Sequence, residues 1–226
     1  MKRPPHRMKI VSQALTVLIA SRVLLIPLPA MAEPSLGALP KHALEQCTQG
    51  RLATDRVSRL AHFEQGQRLG EQAVAADEES ADAHFALFCN LGELLRIDGE
   101  SLNSIFGLRR MMRELDRTLE LAPDHMEALS AKGTLLVKLP GILGGDSQEG
   151  ERLLQQVILQ APKAVNARLA LAKVRCEQGQ HDEAAALASA ALVIAQKQKQ
   201  MDFIPEAEAL LQQARASAAK AKEPGS

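Results

Sequence analysis

From His42 onward the chain is a succession of amphipathic stripes separated by short breaks, which restricts it to helices stacked on one another. Ala184, Leu187, Ala188, Ala191, Leu192 and Ala195 recur at three and four residues, a narrow small-residue stripe on one face of a helix. Leu108, Met111, Met112, Leu115 and Leu119 form a second stripe, and Leu153, Leu154, Val157 and Ile158 a third. Asp124 with Glu127, and Asp146 with Glu149, have the spacing of a capping box, so helices are expected to begin just after Asp124 and Asp146. With five Phe and neither Trp nor Tyr, the core must be filled by Leu, Ala, Ile, Val and Met, and almost no strand is expected.

The first 32 residues read as a secretory signal. Lys2, Arg3, Arg7 and Lys9 precede the apolar runs Ile10–Ala20 and Val23–Leu28, followed by Ala30-Met31-Ala32. Arg22 interrupts the apolar stretch, which argues for a cleaved signal over a membrane span, with cleavage after Ala32 and a periplasmic destination. No Cys follows that position to accept a lipid. Residues 33–41, with two prolines and a glycine, are expected to be an extended leader, 42–219 the helical domain and 220–226 a disordered tail. The signal holds five basic residues and no acid, so the remainder carries 22 basic residues against 27 acidic ones. That balance, without a basic cluster interleaved with aromatics, argues against nucleic acid as a partner.

Several features recur together. Leu171-Ala172, Gly179 at a turn, and Ala184 with Ala191 form one unit; Gly92 and Gly133 match the position of Ala172, and Pro123 and Pro162 close two units. The segment 167–196 thereby resembles a tetratricopeptide repeat. The resemblance implies an all-α fold, an α-α superhelix of about four helix pairs with Ile204–Ala219 as a capping helix. Gly92 to Gly133 spans 41 residues and Gly133 to Ala172 spans 39, so both units are longer than the family's repeat of about 34 residues, with the excess between the two helices of each pair. An export signal, such pairs and Gly144-Gly145-Asp146 after a lengthened turn also resemble, more weakly, the periplasmic components that accompany tripartite solute transporters. That resemblance implies a partner subunit or a small ligand.

Chemical motifs are sparse. Gly144-Gly145-Asp146 is followed by Ser147-Gln148 and reads as a flexible turn ending in an N-cap. His42, His62, His84, His125 and His181 have no paired spacing, so no metal or cofactor is expected. A nucleophile elbow, a phosphate-cradling loop and a CxxC are all missing, which points to a non-enzymatic protein. Cys47, Cys89 and Cys176 allow one bridge at most: either all three are small buried side chains, or Cys47 and Cys89, on first-of-pair helices, are joined.

The tetratricopeptide resemblance implies a concave face lined by the first helix of each pair. Projected onto this chain, that face takes Asn90, Glu93 and Arg96 from one helix, Thr134 and Lys138 from the next, and Lys173 from the third. Together Arg96, Lys138 and Lys173 suit a carboxylate or an acidic segment, through charge-assisted hydrogen bonds. The expected function is therefore that of a scaffold or adaptor docking a protein partner.

Overall fold

Several helices in this chain start where the sequence supplies a side-chain cap. In the computed structural model, which describes residues 36–98 and 103–222, the α-helices are α1 (Leu39–Leu52), α2 (Arg56–Ala76), α3 (Ala81–Asp98), α4 (Asn103–Leu121), α5 (Met126–Lys138), α6 (Ser147–Gln160), α7 (Val165–Glu177), α8 (His181–Gln198) and α9 (Ile204–Lys222). The described residues contain no strand and fall within one compact unit. The signal expected over 1–32 lies outside them.

Asp55 caps α2 by accepting from the Ser58 amide at 2.8 Å, and Asp146 caps α6 by accepting from Glu149 at 3.0 Å. At α5 the cap is His125, whose Nδ1 accepts from the Ala128 amide at 3.2 Å, so the start expected at Asp124 moves by one residue. The α7–α8 turn closes at Gly179, whose φ of +76° suits a residue without a side chain. Gln180 N–H donates back to the Arg175 carbonyl at 2.8 Å, which takes up one of the last carbonyls of α7.

Two sequence expectations are corrected at the ends of the domain. The leader expected to be extended over 33–41 is helical where it is described: Leu36–Ala38 forms a 3-10 turn and α1 begins at Leu39. Pro40 stands in the first turn of α1, where its missing N–H has no intrahelical acceptor to lose, so it does not break the helix. At the other end α9 runs on to Lys222, into the segment expected to be a disordered tail.

Pairs α1/α2, α3/α4, α5/α6 and α7/α8 each pack internally, and α9 lies against α8. Between pairs, α1 packs on α3, α5 on α7 and α7 on α9, so the first helices of the pairs form the inner layer. The α4–α5 junction, between the second and third pairs, is the most sparsely packed of the sequential junctions. The small-residue stripe of α8 does what its spacing implies: Ala184, Ala188, Ala191 and Ala195 are each fully buried, the last three in one cluster with Val165, Leu169, Ala207 and Leu210. Further clusters centre on Leu115 with Phe85 and Met111, on Leu154 with Leu171, and on Leu39 with Ala73.

Candidate functional site

The inner helices end alike. Arg51 stands in the last turn of α1, Arg96 in that of α3 and Lys138 in that of α5, where a cation complements the negative end of the helix dipole. Helix α1 packs on α3 and α5 on α7, and Lys138 at the end of α5 feels the charge of Arg96 at the end of α3, so the repetition collects positive charge at one place on the inner surface. Lys173 of α7 joins it: the Lys138 ammonium is held below the usual lysine value, first by burial and then by the charges of Lys173 and Arg96. Lys138 is nonetheless an exposed residue.

Carboxylates thread through this cluster. Arg51 Nε donates to Glu93 Oε1 at 2.8 Å, and Arg96 Nη1 donates to the same carboxylate at 3.2 and 3.3 Å. Glu93 is 3% exposed, so it is a buried anion neutralised from both sides. Arg51 Nη1 also reaches Asp202 Oδ2 at 3.5 Å, across 151 residues, and its guanidinium lies 5.9 Å from the centre of the Phe203 ring. Burial works against the Arg51 charge, but the Glu93 carboxylate, which accepts from its Nε, holds the guanidinium firmly protonated. Lys173 Nζ donates to Glu206 Oε1. Lys138 makes no ion pair among the described residues.

Of the six residues read from the sequence, four belong to this arrangement: Glu93, Arg96, Lys138 and Lys173. Arg96 is the most open, with 70% of its side chain exposed. Asn90 is not a surface residue. It is fully buried, and its Nδ2 donates to the Ala43 and Ala86 carbonyls at 2.9 Å each, which ties α1 to α3. Thr134 is half-buried and spends its hydroxyl on the Ser130 carbonyl of its own helix at 2.7 Å. Arg51, Asp202 and Glu206 were not read from the sequence. Arg51 had a signal: it precedes Arg96 by 45 residues and Lys138 by 87, each time closing an inner helix.

Cys47 and Cys89 are brought together across α1 and α3 as free thiols rather than a bridge. The hydrogen bond between them, with burial, raises the Cys47 thiol well above its ordinary value, and the same bond lowers Cys89. Cys176 is also free, its thiol raised by burial. Among the described residues no group of three His, Cys, Asp or Glu is placed to hold a metal, and no helix is long and apolar enough to cross a membrane. A surface depression of about 680 Å³ at the start of α6, lined by Asp146, Glu149, Glu151 and Arg152, shares no residue with the cationic cluster.

Residues 142–202 match the sequence model of the tetratricopeptide repeat. A thermophilic TPR protein of Thermus thermophilus has a similar structure, with a TM-score of 0.50 and 18% identity over 78% of this chain and 100% of that one. The MamA RS-1 ArsTM double mutant (TM-score 0.45, 15% identity, 84% of this chain and 100% of that one) and MamA AMB-1 (0.44, 20%, 79% and 98%) are also similar. No curated protein matches the sequence. Residues 142–202 are therefore tetratricopeptide-repeat sequence, and the chain that carries them has the all-α helical-repeat fold of tetratricopeptide-repeat proteins.

Proposed function

We propose that this protein is an exported, non-enzymatic adaptor that holds an acidic segment of a partner protein against the inner face of its helical stack. The observation that carries the reading is the convergence of Arg51, Arg96, Lys138 and Lys173 from four successive inner helices, with Lys138 in no ion pair among the described residues. Charge-assisted hydrogen bonds from a fork of guanidinium and ammonium groups suit carboxylates presented in a row. A half-desolvated cluster also strengthens each of those bonds relative to bulk water. Export to the periplasm rests on the basic and apolar pattern of residues 1–32. A subunit of a solute-uptake system is one partner that this reading admits.

The test is charge reversal at the open cations. Arg96→Glu, Lys138→Glu and Lys173→Glu together are expected to abolish co-purification of the partner from envelope extract while the helical circular dichroism signal is kept. Co-purification unchanged by the triple variant would reject the groove as the docking surface.

A further inference from the structure

The cationic cluster is already partly occupied, and its occupants come from the far end of the chain. Asp202 and Phe203 lie in the turn between α8 and α9, and Glu206 in the first turn of α9. They meet Arg51 at the end of α1 and Lys173 in the middle of α7. Asp202 has only 7% of its side chain exposed, so the turn is seated into the cluster rather than lying over it. Two carboxylates and an aromatic ring thus present to Arg51 and Lys173 the chemistry that an acidic ligand would bring.

We propose that the α8–α9 turn is an internal competitor for the groove, whose Asp202 and Glu206 hold Arg51 and Lys173 until an acidic segment displaces them. The Arg51–Asp202 contact spans the stack from its first helix to its last turn, and the α4–α5 junction between the two halves is the thinnest of the sequential junctions. Release of the clasp therefore frees both cations and removes a tie between the two halves, whereas Glu93, pinned by Arg51 and Arg96 together, stays in place. A ligand that binds only the open form has its affinity lowered by the fraction of molecules that are open.

This inference rests on the groove reading above, and one experiment separates the two. The probe is a fluorescein-labelled oligoglutamate peptide, its binding read by anisotropy at fixed ionic strength. Asp202→Asn with Glu206→Gln is expected to bind it at least about fivefold more tightly than wild type, the gain for a clasp closed roughly four-fifths of the time. The control is Glu120→Gln with Glu149→Gln, which makes the same change of net charge on the outer helices α4 and α6 and is expected to leave affinity within about twofold. Binding by wild type that the clasp variant does not strengthen beyond the control overturns the clasp and leaves the groove reading standing. Absence of binding by every variant, with folding confirmed by circular dichroism, overturns both.

Discussion

Asn90 fills the space that a side chain on Gly66 would take: a β-carbon on Gly66 would stand 2.0 Å from Asn90 Oδ1. Four residues on, a β-carbon on Gly70 would stand 2.9 Å from the Leu87 α-carbon. Helix α2 therefore meets α3 along a face cleared by two glycines, and into that clearance goes the amide that joins α3 to α1. Asn90 Oδ1 has no hydrogen-bond donor there, so the residue is held by its two Nδ2 bonds and by fit.

Gly66→Ala measures that fit. Helix propensity alone favours alanine by about 1 kcal/mol. Moving Asn90 aside forfeits two buried hydrogen bonds at about 1 kcal/mol each and adds overpacking strain of about 1–3 kcal/mol. A net destabilisation of about 2–4 kcal/mol is expected in urea unfolding, and an alanine variant at least as stable as wild type contradicts the packing described.

A second prediction concerns the last repeat, where Arg175 joins three helices. Its Nη1 donates to Glu151 Oε2 of α6 at 2.6 Å and to Gln178 Oε1 at 2.8 Å, and its Nε to Glu183 Oε1 of α8 at 3.0 Å. Removing the guanidinium leaves two carboxylates that still reach water, with 20% and 51% of their side chains exposed, so the loss falls below that of a fully buried pair. Arg175→Ala is expected to cost about 2 kcal/mol. Arg175→Lys should recover less than half of it, because one ammonium cannot fork between the partners. Full rescue by lysine would show that charge alone matters here.

The Glu71 carboxyl sets a pH dependence. Gln67 and then Arg110, which donate to its Oε1 at 2.8 and 2.6 Å, hold it below the ordinary glutamate value against the opposing effect of burial. A carboxyl lowered on folding contributes stability that is present above its unfolded value, about 4.3, and is lost as pH falls through the folded value. The melting temperature of Glu71→Gln should therefore lie below that of wild type at pH 7, with the difference shrinking below about pH 4. A difference that grows on acidification contradicts the Glu71–Arg110 link between α2 and α4.

The helices and their pairing were legible in the sequence because a three-to-four periodicity survives any change in loop length, and α8 shows it most plainly. Asn90 was misread because projecting a repeat pattern places a residue on a face without saying how near the next helix comes. Gly66 and Gly70, spaced by four in a helix interior that disfavours glycine, were the available sign of close approach. Residues 33–41 suggest an extended leader because they carry two prolines and a glycine, although a first-turn proline such as Pro40 is compatible with a helix. Arg51 and Asp202 had no local signal as a pair. Their contact depends on the accumulated curvature of the whole stack, and no short window of sequence encodes that.

Lysine footprinting by an acylating reagent tests the central claim, that Arg51, Arg96, Lys138 and Lys173 form one acid-binding cluster, with resolution at single residues. In the free protein Lys138, in no ion pair among the described residues and held below the usual lysine value, is expected to acylate faster than the exposed Lys197 and Lys220. Adding the oligoglutamate peptide should protect Lys138 and Lys173 and leave Lys197 and Lys220 unchanged. Equal labelling of all four lysines with and without a peptide that is shown to bind would place the acidic segment elsewhere and contradict the account.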